Sequence, residues 1–215
     1  MIIHTIRYGN PPWMEPCVLS LEAWCERHGY EVFEWRPTAC IDPYPCPKYL
    51  ELEAIYMMAL GCEEKMLFID ADVYVHPDAP EFPEHLEGML MATDTHHERH
   101  APYWREFCQQ HRGEAATEGH PYCNAGVFYF GDNDSMMAFI KHAKPPYHAD
   151  RGFMDQHDMN HWAWRAKEDG MKFDLLPSEW NRWGRDRQEE PTWFWHMWGD
   201  DKMGDLEKLR REQLV

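Results

Sequence analysis

The chain has 215 residues, with 38 Asp and Glu against 21 Lys and Arg, and a formal net charge of -17. At 44% hydrophobic residues it can fill one core of ordinary size, so a single domain over residues 1–215 is expected. The acidic balance, without any basic run, weighs against a nucleic-acid partner and mildly against an anionic membrane surface.

Residues 1–8 predict a strand running into the turn Gly9-Asn10-Pro11-Pro12. Residues 19–27 predict a helix closed by His28-Gly29, and residues 30–35 alternate as a strand does. A Pro- and Cys-rich loop covers 36–47. Residues 49–60 predict a helix with Gly61 as its stop. Residues 65–69 form a short apolar run, the mark of a buried central strand. Later strands are expected at Met89–Thr93, 126–130 and 171–175, and later helices at 135–142 and 155–167. The polar, His-rich segment 95–119 reads as a helical insertion or a mobile flap. The tail from residue 200, with a C-terminal helix at 203–215, reads as a charged surface element.

This order of strands and helices predicts an α/β fold, a mostly parallel central sheet flanked by helices. Ligands in such sheets bind beyond the carboxyl ends of the strands, and Ile69-Asp70 is such an end. Seven Cys, at 17, 25, 40, 46, 62, 108 and 123, include no CxxC pair and read as reduced thiols in a cytoplasmic setting. Residues 1–6 lack the pattern of a signal peptide, and no stretch reaches 18 apolar residues, so no transmembrane segment is expected.

Asp70-Ala71-Asp72 follows the apolar strand directly. Strand spacing would place both carboxylates on one side with Ala71 turned away. Hard oxygen ligands of this kind suit Mg2+ or Mn2+. The motif alone is weak, because a chain with 16 Asp contains about one Asp-x-Asp by chance. A second copy, Asp132-Asn133-Asp134, lies between a strand and a helix, where capping explains it.

Context sets the first copy apart. Phe68-Ile69-Asp70-Ala71-Asp72-Val73 resembles the signature of retaining glycosyltransferases of the GT-A fold, especially the group of glycogenin and the bacterial lipopolysaccharide galactosyltransferases. Four further segments resemble that family in order: Ala92-Thr93-Asp94, Asn124-Ala125-Gly126-Val127, Asp155-Gln156, and the His-x-x-Gly-x-x-Lys stretch from His196 through Gly199 to Lys202. The resemblance runs from residue 1 to about residue 202. The Asp-Gln pair departs from the family in being followed by His157-Asp158, and the short chain implies a reduced or different acceptor part.

The resemblance implies a GT-A-like nucleotide-diphospho-sugar transferase fold. It implies metal-dependent transfer of a sugar from a nucleotide-sugar donor, with UDP the family-typical nucleotide, to a glycan or small-molecule acceptor, with retention. Asp70, Asp72 and His196 would then hold Mn2+ or Mg2+. Lys202 and Gly199 would meet the leaving diphosphate, with Lys48 a second phosphate contact and Arg7 a weaker one. Thr5, in His4-Thr5-Ile6, would cradle the base and ribose. Asn124 and Gly126 would lie beside the donor, and Asp94, Asp155 and Gln156 would surround the reacting sugar, with Gln156 an electrostatic support.

Each residue also has a plainer reading. Asp155 could simply cap the helix it opens, and Asn124 could cap a turn. Lys202 and Lys48 could be solvated, and His4 could be a core histidine. Among the 11 Trp, Trp193 and Trp195 would share the core side of a strand, while Trp180, Trp183 or Trp198 could form an acceptor platform. Two rival functions stand beside transfer. One is a zinc-dependent hydrolase, from His157 and His161 at i and i+4 on one helix. The other is a non-catalytic GT-A-like protein that binds a sugar nucleotide or glycan.

Overall fold

The computed structural model describes residues 1–36, 47–61, 65–94, 96–114, 120–147, 155–183, 192–197 and 201–211. In chain order its strands are β1 (Ile2–Ile6), β2 (Glu31–Trp35), β3 (Met66–Ile69), β4 (Val73–Val75), β5 (Met89–Thr93), β6 (Cys123–Phe130), β7 (Phe173–Leu176), β8 (Arg182–Trp183) and β9 (Phe194–His196). The α-helices are α1 (Met14–His28), α2 (Leu50–Leu60), α3 (His97–Phe107), α4 (Asn133–His142), α5 (Gln156–Glu168) and α6 (Lys202–Arg211).

Six strands make the main sheet in the order β2-β1-β3-β6-β5-β7. All run the same way except β6, which is antiparallel to both β3 and β5. Every residue of β3 is buried, which explains its unbroken apolar sequence. Met66 and Phe68 face a core built with α2, α4 and α5, where Phe68 stacks on Phe128 at 4.7 Å. Leu67 and Ile69 face the opposite core, with Trp24 of α1, Tyr129 and Phe194. Each large apolar side chain buried this way contributes roughly 1.5–3 kcal/mol, so a sheet covered on both faces is a rigid platform for the loops at its rim.

The elements follow the sequence reading with two informative extensions. Helix α1 starts at Met14, because Pro16 falls in its first turn, where a missing N–H is tolerated. It ends at Gly29, which takes the left-handed conformation at φ 71°. Strand β6 starts at Cys123 and runs through Gly126. Its register against β5 jumps from Met91↔Phe128 to Ala92↔Asn124, so Asn124 borders a bulge that contains Gly126. Such irregularities re-aim side chains at the ends of sheets.

A second sheet, in the order β4-β9-β8, lies beside the carboxyl ends of the first. Helix α6 packs on it. The tail is charged, yet Leu206 and Leu209 are buried with Cys17, Trp195 and Met197. Within 95–119, α3 and a π-helical turn over Cys108–Arg112 pack Ala101, Trp104, Phe107 and Cys108 against Tyr122 and Trp164.

Candidate active site

The two carboxylates converge by a turn and not by strand alternation. Asp70 N–H donates to the Gly126 carbonyl at 2.8 Å, the last tie of this segment to the main sheet. The chain then turns, with Val73 N–H donating to the Asp70 carbonyl at 3.0 Å, and enters β4. Ala71 is packed against Met14 and Val18 of α1. The residue that completes the cluster comes from far along the chain: β9 pairs antiparallel with β4, His196 opposite Val73, and Met197 N–H donates to the Asp72 carbonyl at 2.8 Å. This register places His196 Nε2 3.2 Å from Asp72 Oδ1 and 3.8 Å from Asp70 Oδ2. All three side chains are buried, and one ligating atom from each lies within 4.8 Å of the others. No other such group of three His, Cys, Asp or Glu occurs among the described residues.

Two lysines occupy the carboxylates. Lys48 Nζ is 2.6 Å from Asp70 Oδ2, and Lys202 Nζ is paired with Asp72 Oδ2 while lying 4.4 Å over the Trp13 ring. Burial alone would lower the Lys48 ammonium, but Asp70, Asp155 and Asp72 around it hold it well above its ordinary value. Burial pushes Asp70 up against the pull of Lys48. Burial also acts on Asp72, but His196, Lys202 and Lys48 outweigh it and hold Asp72 well below the usual carboxylate range. Despite the 3.2 Å approach of the imidazole, Asp72 Oδ1 has no hydrogen bond of acceptable geometry. A buried carboxylate oxygen without a donor, beside a second carboxylate and an imidazole, fits a divalent cation. Two carboxylates with one imidazole suit Mn2+ better than the all-oxygen preference of Mg2+.

Gly126 matters through His196. A Cβ at residue 126 would lie 2.2 Å from His196 Cε1 and 2.6 Å from Nδ1, so only glycine lets the imidazole rest on β6. Asn124 Oδ1 accepts from Gly126 N–H at 2.8 Å and from Asn181 Nδ2 at 3.0 Å. Asn124 Nδ2 donates to Gln156 Oε1 at 3.3 Å, and Gln156 Nε2 donates to Asp94 Oδ2 at 3.0 Å. Asp94 Oδ1 in turn accepts from His96 N–H at 2.7 Å and lies 3.2 Å from His100 Nδ1. The strand-end residues Asn124 and Asp94 are thus linked through Gln156 into one polar chain.

The remaining expected residues divide. Asp155 is buried at the start of α5, yet its side chain makes no capping bond. Thr5 is buried with its hydroxyl unpartnered. Arg7 turns to Glu34, 3.9 Å away, and not to the carboxylate cluster. Gly199, Trp198 and the Trp183 side chain lie outside the described residues. Trp180 is a core residue and no platform, wedged edge-on between Phe82 and Phe194. Trp193 and Trp195 join different clusters, because β9 begins only at Phe194. His157 Nδ1 is bonded to the Tyr122 hydroxyl at 2.9 Å, and His161 Nδ1 is 3.7 Å from Cys108 Sγ, which accounts for the helix pair without zinc. Asp132 caps α4, accepting from Ser135 N–H at 2.7 Å. The sequence reading missed the places of His100 and Asn181 in that polar chain: His100 lies in the His-rich stretch 95–119, whose histidines point to no particular one, and Asn181 is a common polar type with no local pattern.

No protein-family model matches the sequence, and neither does any curated protein. Solved structures do match. A glycosyltransferase involved in the glycosylation of the major capsid of PBCV-1 is 15% identical with a TM-score of 0.58, over 98% of this chain and 100% of that one. An active-site mutant of LgtC is 13% identical with a TM-score of 0.55, over 98% and 96%. Mouse xyloside xylosyltransferase 1 is 13% identical with a TM-score of 0.53, over 93% and 97%. At such identities the likeness is one of fold and singles out no subgroup: this chain has the GT-A-like α/β architecture.

Proposed function

We propose that this protein transfers a sugar from a nucleotide-sugar donor, with UDP as the nucleotide, to an acceptor hydroxyl of a glycan or small molecule, with retention and with a divalent cation. The observation that carries this reading is the buried convergence of Asp70, Asp72 and His196 at the sheet's rim, flanked by two lysines, in a fold shared with glycosyltransferases. A bound Mn2+ or Mg2+ would supply Lewis-acid neutralisation of the diphosphate leaving group.

The protein's own groups do the rest. Lys48 and Lys202 are the cations within reach of a diphosphate seated against the cluster. They offset locally the repulsion that a chain of net charge -17 exerts on an anionic donor. Asp94 Oδ2, bonded to Gln156, keeps a lone pair for a sugar hydroxyl, and Asn124, whose Oδ1 already takes Gly126 N–H and Asn181, offers the second N–H of its amide. Gln156 lies between them, where its dipole can support positive charge at the reacting carbon. An amide is a poor nucleophile, so the acceptor hydroxyl attacks from the face the phosphate leaves, and the departing phosphate oxygen takes its proton.

Calorimetric titration with sugar nucleotides tests this reading. Binding that requires Mn2+ or Mg2+ and disappears in Asp70→Asn is expected. Binding that ignores chelator would sink the assigned metal centre, and no binding of any sugar nucleotide would sink the donor site.

A further inference from the structure

Helix α3 has no part in the scheme above, yet it grips both partners of the bond between Asp94 and Gln156. Its first turn is seated on the end of β5: His97 N–H donates to the Asp94 carbonyl at 2.9 Å, and His100 N–H to the His96 carbonyl at 3.0 Å. This seat brings His100 Nδ1 to 3.2 Å from Asp94 Oδ1, with both side chains buried. One turn further on, Trp104 Nε1 donates to the carbonyl of His157 at 3.1 Å, the residue after Gln156 in α5. Trp104 is fully buried against Tyr122 and Trp164, so α3 is packed as a rigid brace. Hydrogen bonds also fix which way the Gln156 amide points. Its Oε1 faces two N–H groups, Asn124 Nδ2 at 3.3 Å and the Ala125 backbone at 3.4 Å, so Nε2 is left to donate to Asp94 Oδ2 at 3.0 Å. The other Asp94 oxygen accepts from His96 N–H at 2.7 Å. A carboxylate that accepts at both oxygens needs a hydrogen on the ring nitrogen that faces it, so His100 carries one on Nδ1.

We propose that His100 is a positioning residue: its Nδ1–H holds the Asp94 carboxylate in the orientation that receives Gln156 Nε2, and so keeps the Gln156 amide aimed at the reacting sugar. The assignment rests on the donor-site reading above, in which Asp94 and Gln156 meet the sugar and not the diphosphate. His100 therefore acts on sugar transfer and leaves the nucleotide alone. A histidine that merely filled space under Tyr122 would make no such distinction. Any donor of the right reach should serve in its place, because only the Nδ1–H is used. Asparagine offers one, since its amide nitrogen stands on Cγ where histidine carries Nδ1.

Two readouts test this. Nitrogen-15 NMR of the imidazoles, with the His100 signal identified by its absence in His100→Asn, should show the hydrogen on Nδ1. A neutral ring with its hydrogen on Nε2 alone, the form that free imidazole prefers, overturns the pair whatever the protein does. The second readout is kinetic: release of UDP from the UDP-sugar that the wild type turns over, beside titration of UDP itself, both with Mn2+. His100→Leu should lower kcat about tenfold, the value of one hydrogen bond to a charged group, and leave the affinity for UDP unchanged. His100→Asn should recover most of that loss. An unchanged kcat in His100→Leu, an equal loss of UDP affinity, or no recovery in His100→Asn overturns the proposal. If His100→Leu does not fold, His100→Phe, which keeps a ring and lacks the N–H, takes its place with the same expectations. If the wild type neither turns over a sugar nucleotide nor binds UDP, the donor-site reading falls and the role of His100 in transfer falls with it, while the NMR signal separately decides the bond to Asp94.

Discussion

Gly126→Ala is the substitution that separates the two readings of this glycine most cleanly. The added Cβ would sit 2.2 Å from His196 Cε1, and ordinary contact begins near 3.4 Å, so the ring must retreat by about 1.2 Å. The backbone cannot share that retreat easily. His196 is paired with both Val73 and Trp183, and Met197 is anchored to the Asp72 carbonyl. The ring must therefore rotate away from Asp70 and Asp72, losing the 3.2 and 3.8 Å approaches that gather the three ligands. Overpacking of this kind costs about 1–3 kcal/mol of stability. Losing the ligand's placement should weaken Mn2+ binding on the order of 10–100-fold, the usual effect of disturbing a ligand's support. Mn2+ titration followed by electron paramagnetic resonance, with thermal unfolding to confirm the fold, measures both. Unchanged Mn2+ affinity together with lost sugar-nucleotide binding would refute this reasoning and return Gly126 to a direct donor contact.

The two lysines stand where they compete with a cation, so Lys48→Met or Lys202→Met should tighten Mn2+ binding without nucleotide and weaken nucleoside diphosphate binding, each by about tenfold. Weaker Mn2+ binding in both variants would contradict that picture. Burial depresses His4, His120 and His161 to about 4. Their neutral forms are the stable ones in the fold, so stability is full above the ordinary histidine value of 6.5 and falls as pH drops from there toward 4. Each contributes up to about 1.4 kcal/mol per pH unit in that window. Denaturant midpoints across that range check it, and a flat profile would count against the buried neutral rings. Burial also keeps Cys17, Cys25 and Cys108 at about 12 and raises Cys123 further, so these four of the seven thiols should react with a thiol reagent only after unfolding. More than three thiols reacting in the native protein would refute this.

Local patterns carried the elements well, and Met89–Thr93 matches its strand to the residue. The apolar run before Asp70 marked the buried strand and hence the rim where ligands bind. What local pattern does not encode is pairing. The antiparallel placement of β6 between β3 and β5 depends on contacts across 30 to 64 residues, from Thr93↔Cys123 to Met66↔Phe130, and the register that sets His196 opposite Val73 on contacts across more than 120. Resemblance, not spacing, pointed to His196. The turn at Asp70–Asp72 was hidden because a strand end and a turn share the same short sequence, and both bring the carboxylates together. Trp180 misled as a platform because an indole packs equally well in a core.

The most direct test of the account is release of nucleoside diphosphate from a panel of sugar nucleotides, with Mn2+ or Mg2+, with chelator, and in Asp70→Asn. The account predicts slow release from one donor that accelerates when the acceptor is supplied and disappears on chelation and in the variant. Release that persists in chelator and in Asp70→Asn would contradict it, and so would silence across the panel in a protein that also binds none of its members.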